Sequence, residues 1–174
     1  MSRANYIELD AVVFLGLMAY AYRNFDIQIR HNDGAVTHKN GLNVFACIVD
    51  NNDGELLSIG RNQIHKNYNP LLHAEQIVLH EAIDNIRKKY KVDKNYISAE
   101  RFYREQMFYG DSGKNKGCTL YTTLEPCPFC TSALLVSRMK RIVYILPDRT
   151  FGGSSKILKA RFYDNYDIKY SQLA

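Results

Sequence analysis

Two cysteines three positions apart, in Leu124-Glu125-Pro126-Cys127-Pro128-Phe129-Cys130, constrain this chain more than any other stretch. Pro126 has no N–H and a fixed φ that suits the first turn of a helix, so a helix is expected from Pro126 to about Met139. Cys127 and Cys130, at i and i+3, then project from one side of its opening turn. The positive end of a helix favours thiolate over thiol. Thiolates joined by a histidine nitrogen prefer zinc. The candidate nitrogen stands upstream in Leu72-His73-Ala74-Glu75. Three protein ligands, His73, Cys127 and Cys130, leave a fourth position open for water, which marks catalytic rather than structural zinc.

Glu75 supplies what such a metal lacks. It is a carboxylate two residues from a ligating histidine, placed to stand beside the ion without binding it. There it can accept a proton from water and pass it on. A lone Cys-x-x-Cys is weak evidence, because redox motifs, structural zinc and chance compete for it. The set of His73, Glu75, Pro126, Cys127 and Cys130 is far more specific. Cys118 is expected to be a strand residue, since a fourth protein ligand would close the site. Cys47 reads as a small buried hydrophobe, and His80 as an ordinary helical residue.

A chain of 174 residues suits a single domain, 1–174. An apolar run from Ala11 to Ala21 superficially resembles a signal peptide. However, Glu8 and Asp10 stand where a basic segment should precede it. It is also short of the roughly 20 residues a membrane span needs. It is read as part of a buried helix, Tyr6 to Phe25, apolar around most of its circumference. With two of four cysteines in a thiolate clamp, a reducing, cytoplasmic setting is expected, with no membrane partner.

Asn32-Asp33-Gly34 and Asn40-Gly41 predict a short hairpin or loop between Asp26 and Gly41. Strands are expected at Val44 to Asp50 and Leu56 to Gly60, joined by an Asn51-Asn52-Asp53-Gly54 turn. A polar connector from Arg61 to Pro70 leads into a helix from Leu71 to Lys89 with a core stripe of Ile77, Val78, Ala82 and Ile86. His73 and Glu75 point apart on a regular helix, so both can face one ion only at its first turn. Cys118 to Thr123, the cysteine helix and Arg141 to Leu146 form a strand–helix–strand unit whose strands should be parallel. The loop from Pro147 to Ser154 leaves the carboxyl end of a strand, where α/β proteins keep their sites.

The segment from Asp84 to Gly117 holds nine Lys or Arg against five acids, nearly all of the chain's net charge of +5. Six aromatic residues, among them Tyr96, Phe102 and Phe108, are interleaved with these charges. This insert, about 88–117, reads first as a helix near Ser98 to Phe108 with a solvated basic face. Nucleic-acid binding is the second reading.

These residues resemble the cytidine-deaminase-like superfamily of zinc-dependent deaminases. The spelling Thr119-Leu120-Tyr121 and Thr123-Leu124-Glu125-Pro126-Cys127-Pro128-Phe129-Cys130 is most similar to the branch of tRNA adenosine deaminases and guanine deaminases. The resemblance covers roughly Val44 to Ser155. It implies a three-layer α/β/α fold with a central mixed five-stranded sheet, one zinc ion per chain and a homodimer. It also implies that Asn62, eleven residues before His73, holds the base. Three departures bear on the substrate: the long basic insert, Phe129 where methionine is usual, and Asp148-Arg149-Thr150-Phe151-Gly152-Gly153 in the loop after the last matched strand. The departures in the Asp148 loop favour a free purine base or nucleoside, guanine-like, as substrate, while the basic insert supports adenosine in tRNA. Adenosine in tRNA and a cytosine-type base are the alternatives, and a non-catalytic zinc or RNA-binding module is the rival from another class. Phe151, Tyr163, Tyr166 and Tyr170 are expected to pack in the core rather than to close the pocket.

Overall fold

The structure is a computed structural model that describes residues 3–26, 28–34, 36–38, 42–90, 116–157 and 169–172. The chain order is helix α1 (Arg3–Arg23), strands β1 (Gln28–Arg30), β2 (Val36–His38), β3 (Phe45–Asp50) and β4 (Leu56–Arg61), then helices α2 (Ile64–Asn67) and α3 (Ala74–Lys89). Strand β5 (Cys118–Leu124), helix α4 (Pro128–Val136), strand β6 (Arg141–Leu146), helix α5 (Ser154–Ile157) and strand β7 (Lys169–Gln172) follow. Strands β1 and β2 form the expected small hairpin. The expected helix near Ser98 to Phe108 lies outside the described residues.

The main sheet has five strands in the order β4-β3-β5-β6-β7. Strand β3 runs antiparallel to both β4 and β5, while β5, β6 and β7 are parallel. The mixed sheet and the parallel strand–helix–strand unit agree with the sequence. The geometry has one consequence for function. Strands β4, β5 and β6 all point the same way, so their carboxyl ends and the amino ends of the helices that follow meet at one edge.

Both faces of the sheet are covered. Ala46, Ile48, Leu120 and Ile142 pack against Val78, Ala82 and Ile86 of α3 and Leu134 of α4. Phe45, Cys47, Val49, Tyr121 and Val143 face the other way, against Phe14, Leu17 and Ala21 of α1. The alternation of side chains along a strand explains the division, since neighbours in sequence serve opposite layers. Strand β3 is buried along its whole length, as a central strand covered by helices must be.

Helix α1 corrects one expectation. It is not packed around most of its circumference. Its inner stripe is buried, but Val12, Leu15 and Tyr22 stand exposed. What anchors it is polar: Asp10 accepts two hydrogen bonds from the Arg141 guanidinium, at 2.6 and 2.5 Å, and one from the buried Tyr121 hydroxyl at 2.7 Å. Asp10, noted in the sequence only as an argument against a leader peptide, ties the helix to β5 and β6. The polar connector before α3 also contains a helical turn, α2, ended by Tyr68 in the left-handed conformation at φ 49°.

Candidate metal centre and pocket

Helices α3 and α4 both begin later than the sequence suggests. Helix α3 starts at Ala74 with His73 as its N-cap, not at Leu71. Helix α4 starts at Pro128 with Cys127 as its N-cap, so Pro128 rather than Pro126 occupies the first helical position. The two caps share nearly the same extended backbone, φ −67° and ψ 153° for His73, φ −66° and ψ 169° for Cys127. This resolves the i, i+2 difficulty. An N-cap lies outside the helical spiral, so His73 and Glu75 can face the same point.

The Cys127 sulfur lies 3.8 Å from His73 Nδ1. The ligand atoms of His73, Cys127 and Cys130 all fall within 4.8 Å of one another, a group that can hold a metal ion. One nitrogen and two sulfurs form a zinc donor set, and the spread suits tetrahedral bonds of about 2.0–2.3 Å to a common centre. The thiols are already differentiated. A hydrogen bond from Cys130 holds Cys127 down at about 5 against the cost of burial, helped by backbone N–H groups of Cys130 and Phe129 and the charge of His73. Cys130 is pushed up, first by its bond to Cys127 and then by burial. Cys118 and Cys47 take no part. Both are buried strand residues, and burial raises both thiols. His80 is exposed on α3, as expected.

Glu75 sits in the first turn of α3, almost wholly buried, and its Oε2 has no hydrogen-bond partner among the described residues. Burial pushes its carboxyl up to about 7, with the Cys127 charge adding to the rise and its own backbone N–H opposing it. A buried carboxyl oxygen with no partner costs stability unless something outside the protein engages it. Its place beside a three-donor clamp fits a group that serves the metal's remaining position.

A cavity of about 300 Å³ opens over this centre, with His73, Glu75 and Cys127 at its floor. Asn62, buried at the end of β4, contributes one wall. Its backbone N–H donates to Val44 O at 2.9 Å and its Oδ1 accepts from Ile64 N–H at 3.1 Å. With the oxygen engaged, the Nδ2 amide is the donor Asn62 can offer to a ligand. Leu42, Val44, Ile64 and Leu124 make apolar surface, and Glu125, Asp148 and Phe151 complete the lining.

Phe151 is 68% exposed at this mouth, so the expectation of core packing fails for it. Tyr163 and Tyr166 lie outside the described residues. Tyr170 is in β7, its backbone opposite Ile142.

Sequence reasoning missed Glu125 as a structural group. Its Oε2 accepts from Asp148 N–H at 3.2 Å, Gly153 N–H donates to Pro126 O at 2.8 Å, and Thr131 joins Pro126 O and Ser154. The loop after β6 is thereby stapled to the turn that carries the cysteines. The available signal was positional: Asn62, Glu125 and Asp148 each follow closely on the end of a strand at the same edge.

Comparison with known proteins agrees with this geometry. The chain is 30% identical over 101 residues to a tRNA-specific adenosine deaminase of Aquifex aeolicus, covering 58% of this chain and 51% of that one. It thus spans about half the length of the first curated relatives it matches. A solved structure from work on A-to-I editing by tRNA:A34 deaminases aligns over 75% of this chain and 78% of the other, with TM-score 0.52 and 20% identity. A guanine deaminase from Nitrosomonas europaea aligns over 76% and 66%, with TM-score 0.51 and 17% identity. At those identities the structures speak for the fold alone. The family model for the cytidine and deoxycytidylate deaminase zinc-binding region matches residues 25–146, which contain the whole clamp. The chain belongs to that family.

Proposed function

We propose that the protein is a hydrolytic deaminase that replaces the exocyclic amine of a nucleobase with oxygen and releases ammonia. The observation that carries this reading is the buried Glu75 carboxyl, whose Oε2 has no partner among the described residues, lining one cavity with the His73 and Cys127 donors. Zinc held there supplies Lewis-acid activation of water.

The protein's own groups do the rest. Glu75 accepts a proton from water and delivers it to a ring nitrogen as the C–O bond forms; it then takes the second proton from the new hydroxyl and gives it to the amine, which leaves as ammonia as the C–N bond breaks and the C=O bond forms. A carboxyl raised to about 7 is suited to both directions of transfer near neutral pH. Asn62 Nδ2 donates to an acceptor on the base edge and fixes the ring over the centre. Glu75→Ala should retain zinc while turnover falls about 10²- to 10⁴-fold or more. An active Glu75→Ala enzyme would refute the assignment.

A volume of about 300 Å³ is at the small end of ligand pockets and suits a base with its sugar outside. A free purine and a base flipped from RNA both meet that condition. The departures in the Asp148 loop favour a guanine-like base. Sequence kinship with proteins named for tRNA adenosine, together with the basic insert, favours adenosine in tRNA, and we place that substrate first. Ammonia release from a panel of guanine, guanosine, adenosine, cytosine and transcribed tRNA decides the order. No release from any member by zinc-loaded protein would support the non-catalytic module instead.

A further inference from the structure

Glu125 is a buried carboxylate to which the proposed reaction gives no part. It is 5% exposed, lines the cavity and stands two residues before the first cysteine of the clamp. Its backbone continues the sheet, Glu125 N–H donating to Leu146 O at 2.8 Å, so the turn is held without the side chain. The side chain meets the loop after β6 instead. Its Oε2 accepts from Asp148 N–H at 3.2 Å. Four residues further on, a Cβ at Gly152 would collide with that same oxygen, so bare backbone lies against the carboxylate there. Gly152 N–H donates to Asp148 O at 2.9 Å and closes residues 148–152 into a turn. Inside it, Asp148 Oδ1 accepts from the N–H groups of Thr150 and Phe151. Both residues that this loop gives to the cavity wall, Asp148 and Phe151, belong to the closed turn. Phe151 is mostly exposed, so its place follows from that of the turn.

We propose that Glu125 is a positioning residue for substrate: its carboxylate holds the 148–152 turn, and with it the Asp148 and Phe151 wall, over the cavity. This deepens the deaminase reading and rests on it. A wall that touches substrate alike in the ground state and the transition state moves KM and leaves kcat. Without the acceptor, the Asp148 N–H is unpaired, and the turn shifts toward water to satisfy it.

The test uses Glu125→Met, which keeps length while removing the acceptor, and Glu125→Gln, which keeps an acceptor oxygen. Zinc-loaded full-length proteins are compared on whichever of guanine, guanosine, adenosine, cytosine and tRNA the wild type turns over best. For Glu125→Met, KM should rise about 10-fold, the size of one lost ligand hydrogen bond, with zinc content unchanged. Its kcat should stay within about threefold of wild type. Glu125→Gln should recover most of the KM. Combining Glu125→Met with Phe151→Ala separates action through the turn from direct contact with the base. Acting through the turn, the two effects on KM fall short of their product; acting directly, they multiply. An unchanged KM in folded Glu125→Met protein, a loss confined to kcat, or multiplying effects overturns the proposal. Should Glu125→Met fail to fold, amide hydrogen exchange of the wild type decides. Protection of the Asp148 amide supports the bond, and exchange as in an unstructured peptide overturns it. Failure of the deaminase reading looks different: wild-type protein then releases ammonia from none of the five, and the substrate role of Glu125 falls with it.

Discussion

Asp10→Ala is the perturbation that best tests how the layers are joined. The Asp10 side chain is 6% exposed and the Arg141 side chain 17%. Both carboxylate oxygens are used by the guanidinium, and one also accepts from Tyr121. Alanine leaves Arg141 without its counter-charge and the Tyr121 hydroxyl without its acceptor. Removing one partner of a buried pair costs about 3–5 kcal/mol, against a total stability of about 5–15 kcal/mol. For a chain of this length each kcal/mol lowers the melting temperature by about 2–4 °C, so a drop of about 6–20 °C is expected. Urea unfolding followed by circular dichroism measures the loss. The penalty comes from stranded partners, so Asp10→Leu combined with Arg141→Met and Tyr121→Phe should recover most of it. Zinc affinity of the folded fraction should stay unchanged, since the cluster lies on the α1 side of the sheet and the clamp on α3 and α4. A cost below about 1 kcal/mol for Asp10→Ala, or no recovery in the triple variant, would show that α1 is held mainly by apolar contact.

Gly153→Ala should weaken zinc binding by an order of magnitude or more in chelator competition, because a Cβ there would lie 2.5 Å from Pro128 N and 2.7 Å from Pro128 Cα, rigid backbone beside a ligand; wild-type affinity would show that the loop can move without the clamp. In metal-free protein, iodoacetamide should label Cys127 first, at a rate level above about pH 6 and falling as pH drops through about 5, since the depressed group is already thiolate at neutrality. Cys47, pushed up to about 12 and buried, should stay unlabelled until the fold is denatured, as mass mapping would show. For the substrate, tRNA held through four or five phosphates should bind about 10²-fold more weakly at 200 mM than at 50 mM salt, whereas a neutral free base should show no such slope.

The sequence carried the sheet and the clamp because both depend on local pattern. The apolar run from Val44 to Asp50 could hardly be anything but a covered strand, and five chemically demanding residues stood at fixed spacing around His73 and Cys127. What it could not carry were facts of assembly. An apolar helix reads as buried all round, yet among the described residues α1 packs on the sheet with one side, and Leu15 and Tyr22 remain exposed. Asp10 and Arg141 are 131 positions apart, and nothing near either announces the pair. Phe151 reads as a core aromatic by type. It is held outward because Asp148 Oδ1 accepts from the N–H groups of Thr150 and Phe151 and shapes the turn.

The division between what is shared and what is variable in this site follows from topology. His73 and Cys127 are caps of helices whose amino ends are delivered to the carboxyl edge of β4, β5 and β6, and Glu75 and Cys130 lie within the first turns that follow. Their relative positions are thus set by the packing of α3 and α4 on one face of the sheet, which a change in a surface loop does not reach. The walls over the centre come instead from the stretches around Leu42 and Val44, after β4 at Asn62, and after β6 at Asp148 and Phe151. Substitutions there alter which base is held and from what it is presented while the proton transfer by Glu75 is retained. Exchanging Phe151 or Leu42 should therefore move KM and substrate preference with zinc content unchanged, whereas changes at Glu75 act at the centre itself.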